Sequence, residues 1–79
     1  MQRLIITPDQ IGQVLRSARR AQGLSQAEAG VQLGLSQSRL SELEKGAATM
    51  TVAQLLSMIA LYNLQLEVAT RRQQHNTAW

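Results

Sequence analysis

The stretch Gly23-Leu-Ser-Gln-Ala-Glu-Ala-Gly-Val-Gln-Leu-Gly-Leu-Ser-Gln-Ser-Arg-Leu-Ser-Glu-Leu-Glu-Lys-Gly46 decides the fold of this 79-residue chain. Ser25 through Glu28 forms a capping box, in which a hydroxyl and a carboxylate satisfy each other's backbone donors at a helix start. The helix it opens is short and stops at Gly34, leaving Ala27, Gly30 and Leu33 as its candidate inner face. Gly34 is also the first residue of a three-residue turn. Ser36 then caps a second short helix, Gln37 to Lys45, which points Leu40 and Leu43 inward and stops at Gly46. Gly34 tolerates a positive φ without a Cβ penalty, so the two helices can cross steeply. The second helix keeps Gln37, Ser38, Arg39, Ser41 and Glu42 for its outer face, all of them hydrogen-bonding residues. That outward polarity is what a helix needs to enter the major groove of a duplex.

Longer apolar helices flank this unit. Thr7, Pro8 and Gln10 mark a helix start, with Asp9 at the positive end of the dipole. Ile11, Val14, Leu15 and Ala18 then recur on one face, and Gly23 ends the helix. Thr51 caps a fourth helix carrying Val52, Leu55, Leu56, Ile59 and Ala60, with Asn63 as its left-handed stop. Beyond it Leu64, Leu66 and Val68 alternate with Gln65 and Glu67, the period of a strand. A lone strand cannot satisfy its own backbone groups, so this one needs a partner. The domain plan is thus an N-terminal extension over 1–7, a helical domain over 8–63, a dimerisation strand over 64–71 and a disordered polar tail over 72–79.

Composition narrows the rest. A chain this short buries only about 60% of its unfolded surface, so its core is marginal without help. Cysteine is absent and His75 is the single histidine, which leaves oligomerisation rather than disulfides or metal as the support, and no cofactor is expected. The net charge is +3. Arg3, Arg16, Arg19 and Arg20 outweigh Asp9 at one end, and Arg71 and Arg72 form a second basic cluster, an asymmetry suited to a polyanionic partner. No signal peptide or spanning segment is legible, so a soluble, cytoplasmic protein with no membrane partner is expected. Enzyme chemistry finds no support: one histidine builds no Ser-His-Asp arrangement, and no glycine-rich phosphate loop of the required spacing is present.

The residues Gly23 to Glu28 and Leu33 to Gly46, together with Leu15, Arg16 and Arg19, resemble the XRE/Cro-C1 helix-turn-helix family of phage repressors and bacterial regulators. The resemblance covers about residues 8 to 63. It implies an all-α, compact four-helix, lambda-repressor-like domain that binds double-stranded operator DNA, an inverted repeat, as a two-fold homodimer. Position by position, it implies phosphate contacts from Gln26, Ser36 and Lys45, with Arg16 and Arg20 near the backbone. Gln37, Ser38 and Ser41 match base-reading positions; glutamine can pair bidentately with adenine, and serine donates or accepts. Arg39 contacts guanine or phosphate on this reading. Arg19 and Glu44 match a family ion pair that fixes the first helix to the third. Two positions depart from the pattern: Ala29 stands where relatives carry a bulky aliphatic, and Gly30 where they carry alanine. Since glycine costs about 0.5–1 kcal/mol against alanine in a helix, a weaker second helix is expected.

The layout of the ends is similar to HipB-type antitoxins. That similarity implies a strand of Leu64, Leu66 and Val68 pairing across the dimer axis. It also implies a tail whose Trp79 docks on a HipA-type kinase toxin, and repression of the pair's own operon. Two alternatives remain open at the level of sequence: an interaction adaptor that acts mainly by neutralising a toxin, and a stand-alone phage-type repressor. The operator sequence, and whether residues 3–7 join the sheet, are not legible.

Overall fold

The computed structural model describes residues 3–71. Their order is α1 (Pro8–Ala21), α2 (Gln26–Leu33), α3 (Gln37–Lys45), a 3₁₀ turn (Ala47–Thr49) and α4 (Val52–Leu61). The four-helix expectation holds, and each helix starts where its cap was read. Thr7, Ser25 and Thr51 form full capping boxes, and the Ser36 hydroxyl accepts from the Arg39 N–H. At Glu28 the Ser25 backbone N–H, helped by its hydroxyl, holds the carboxyl below its usual range.

α2 and α3 owe their crossing to the turn at Gly34, where φ is +70°. The Leu35 N–H reaches back to the Gly30 carbonyl at 2.9 Å, closing the helix end. Asn63 is left-handed after α4, with φ +57°. Gly46 also ends its helix, but in extended backbone, so it leads straight into the 3₁₀ turn.

Leu15, Ala29, Leu40, Met58 and Tyr62 form one buried cluster, with Ile11, Ala18, Leu33, Leu55, Ile59 and Leu64 packed around it. Leu40 and Leu43 point inward as expected. Two expected faces need correction. In α2, Ala27 is exposed and Ala29 is fully buried, because the helix turns the 29/30/33 side to the core. In α4 the core side is Leu55, Met58 and Ile59, with Tyr62 just beyond, whereas Val52 and Leu56 stay at the surface. Helical spacing alone could not choose between these adjacent stripes.

Gly30, expected to weaken α2 through its low helix propensity, also has a packing role. A Cβ at Gly30 would sit 2.6 Å from the Leu35 carbonyl oxygen. The missing methyl is therefore what lets the turn close against its own helix. Gly12 makes the same kind of approach between helices: a Cβ there would lie 2.8 Å from the Glu44 carbonyl oxygen and 2.9 Å from that of Leu43. α1 and α3 thus meet backbone to backbone.

The strand expected over Leu64 to Ala69 is not formed. Residues 64–71 have no regular hydrogen-bonded structure, and no strand occurs among the described residues. A ladder needs a second strand, and nothing else among the described residues supplies one. Leu64 tucks against the core, while Leu66 and Val68 are exposed, Val68 at 96%. Trp79, His75 and the rest of the tail over 72–79 lie outside the described residues. No described helix is long and apolar enough to cross a membrane.

Candidate nucleic-acid interface

The start of α2 and the outer face of α3 together line an open polar cleft formed by Gln26, Gln37, Ser38, Ser41, Glu42 and Lys45. Most of the residues expected to meet a duplex are therefore brought together, although they come from two helices. Gln37, Ser38 and Lys45 are exposed and Ser41 is half-buried. Ser36 keeps its hydroxyl on the helix cap, accepting from the Arg39 N–H at 3.0 Å. Arg16 and Arg20 are exposed on α1, where they do not line the cleft.

Arg39, expected to contact guanine or phosphate, makes two hydrogen bonds within the chain. Its guanidinium donates from Nη1 to the Thr49 hydroxyl and from Nη2 to the Thr49 carbonyl, both at 3.0 Å. Its Nε–H and the second hydrogen on each Nη are not used by these bonds. In the free chain it ties α3 to the 3₁₀ turn.

Behind the cleft lies a buried charge network. Arg19 Nε donates to Glu44 Oε2 at 2.7 Å and Nη2 donates to Oε1 at 3.0 Å, a two-pronged pair. Arg19 Nη1 donates to the Leu24 carbonyl at 2.7 Å. Gln26 Nε2 donates to Glu44 Oε1 at 3.1 Å. Both charged residues are nearly fully buried, Arg19 at 6% and Glu44 at 5% exposure. A pair this deep is sustained only when its hydrogen-bonding capacity is used, and here every arm of it has a partner. The Glu44 hydrogen bonds outweigh burial and hold the Arg19 pKa above its ordinary value. The network fixes α1 to α3 and pins the Gln26 amide at the mouth of the cleft. Gln26 has a second amide hydrogen, which remains available for a phosphate oxygen.

Tyr62, at the C-cap of α4, lies close enough to the network to feel the charges of Glu44 and Arg19. Its hydroxyl is buried and has no hydrogen-bond partner among the described residues. Burial, with Glu44's negative charge adding to it, pushes its pKa up to about 12. Sequence reading overlooked Tyr62, Met58 and Gly12. Met58 on α4 and Tyr62 at its C-cap stand four apart, a signal that was present; Gly12 gave none, because its role depends on a helix 32 residues further on.

The comparisons agree with this architecture. A family model described as a helix-turn-helix domain matches residues 10–73. The chain belongs to that family. A curated relative, an uncharacterized HTH-type transcriptional regulator y4dL of Sinorhizobium fredii (strain NBRC 101917 / NGR234), is 33% identical over 64 residues. The match takes in 81% of this chain but only 33% of that protein, so the chain spans about a third of the relative's length. Among solved structures, a HipA–HipB–O2–O3 complex contains a chain that superposes with a TM-score of 0.78 at 18% identity, covering 90% of this chain and all of that one. A HipB complex with an O2 20mer gives 0.79 at 19% identity, covering 91% of this chain and all of that one. A structure described as MDT Protein gives 0.78 at 18%, covering 90% and all of that chain. The fold is that of HipB.

Proposed function

We propose that this protein is a sequence-specific, double-stranded DNA-binding repressor that acts as a homodimer. The observation that carries the reading is the cleft itself. It sets hydrogen-bonding side chains of α3 (Gln37, Ser38 and Ser41) beside Gln26 of α2 and Lys45, on a frame locked from behind by Arg19 and Glu44. Two such helices related by a two-fold axis enter successive major grooves about 34 Å apart, so the target is an inverted repeat. Gln26, Ser36 and Lys45 take phosphates, with Arg16 and Arg20 adding positive field, and affinity falls with salt. Gln37, Ser38 and Ser41 read base edges. The family membership and the likeness to HipB in complexes described with O2 and O3 support this reading.

The dimer belongs to the same proposal. Val52 and Leu56 on α4 and Leu66 and Val68 beyond it are apolar and exposed in the single chain, and the segment after α4 has unpaired backbone. Pairing Leu64, Leu66 and Val68 with the same residues of a second copy gives that backbone its partners and covers Leu66 and Val68. In its finer form the protein is the antitoxin of a HipBA-like pair that autoregulates its operon, with Trp79 in the tail contacting the kinase toxin.

Footprinting on the region upstream of the gene, followed by binding to matched and mutated duplexes, tests the main claim. Gln37→Ala is expected to relax base preference, whereas Lys45→Ala weakens every sequence alike and lowers the salt slope by about 1. Equal losses on all duplexes for Gln37→Ala would remove its reading role. A toxin role for the tail predicts that deleting residues 72–79 abolishes toxin capture and leaves operator binding unchanged.

A further inference from the structure

Glu42 is the one carboxylate among the six residues that line the cleft. Its side chain is 69% exposed, and it has no part in the core. Its nearest cation is Arg39 at 3.9 Å, but that guanidinium gives its hydrogen bonds to Thr49 instead. Glu42 is therefore an almost free negative charge on the face that meets the most negative of polymers. It stands one helical turn beyond Ser38 and shares that side of α3.

Phosphates repel such a group, so it favours a duplex only where it meets a donor. The major groove offers two kinds, the exocyclic amino groups of cytosine and adenine. Adenine presents the N7 acceptor beside its amino group, which a carboxylate cannot pair with; glutamine suits that pattern. Cytosine presents its N4 amino group with no acceptor beside it on the same base. We propose that Glu42 is a specificity-determining residue that accepts a hydrogen bond from cytosine N4 at one position of each half-site. The inference rests on the DNA-binding reading above and adds the base that one named side chain selects. Its charge also penalises sequences without a donor at that point, so selectivity comes from rejection as well as attraction.

The test is binding of the full chain to duplex panels in which each half-site position carries each base in turn, for the unaltered protein, Glu42→Gln and Glu42→Ala. The unaltered protein is expected to prefer cytosine at one position by about 5- to 150-fold. Glu42→Gln moves that preference to adenine, Glu42→Ala erases it, and preferences elsewhere stay as they were. Because Glu42 is exposed, both variants are expected to melt with the unaltered protein, which circular dichroism checks. A uniform rise in affinity for every duplex, with the base profile unchanged, would overturn the proposal and reduce Glu42 to simple repulsion. If the unaltered protein bound all duplexes alike, the DNA-reading proposal itself would fall; an intact operator profile in both variants sinks the Glu42 assignment only.

Discussion

Replacing Gly12 by alanine sets two physical effects of opposite sign against each other. Gly12 lies inside α1, where helix propensity alone favours alanine over glycine by about 1 kcal/mol. The structure opposes this. The new methyl would stand 2.8 and 2.9 Å from the carbonyl oxygens of Glu44 and Leu43, well inside normal contact, and both obstacles are backbone that no rotamer change can move. α1 and α3 must therefore separate at the point where Arg19 and Glu44 bridge them. Overpacking of this kind costs about 1–3 kcal/mol, and two backbone contacts place it at the upper end. After the propensity gain the net loss is about 2 kcal/mol, a drop in Tm of about 8–16 °C for a domain of this size. Thermal melts followed by circular dichroism read it directly. A Tm equal to or above that of the unaltered protein would show that α1 and α3 do not approach as described.

Three further outcomes follow from the same packing. Glu44→Ala strands the buried Arg19 guanidinium and is expected to cost about 3–5 kcal/mol in urea melts, while replacing both partners by apolar residues recovers most of it. An exposed pair would lose under 1 kcal/mol, and that smaller loss would contradict the burial. Tyr62 ionises only near pH 12 in the folded chain against about 10 when unfolded, so its contribution to stability is complete below about pH 10 and is lost as pH rises toward about 12. Tyr62→Phe removes an unpaired buried hydroxyl, so its urea midpoint should match or exceed the original at neutral pH and decline less steeply above pH 10. Val68→Pro deletes a backbone donor; sedimentation is expected to show monomer, and a persistent dimer would refute pairing through this segment.

Much of the architecture was legible because it is written in local chemistry. Each hydroxyl cap, Gly34 and Asn63 act within a few residues of themselves, so the helix boundaries and the crossing turn can be read without knowing what they pack against. The polar outer face of α3 is legible for the same reason, since helical spacing places Gln37, Ser38 and Ser41 opposite Leu40 and Leu43. Residue types by themselves thus determined the helices, their punctuation and the side chains offered to a partner.

Tertiary structure decided what depends on distant neighbours. It turned Ala29 rather than Ala27 inward, drew Met58 and Tyr62 into the core, and tied the Arg39 guanidinium to Thr49. It also gave Gly12 and Gly30 their purpose, because a missing methyl matters only where another backbone arrives to use the space. The segment from Leu64 to Ala69 shows the same division: alternation supplies the pattern of a strand, but hydrogen bonds to a second strand make one, and these cannot come from within the segment.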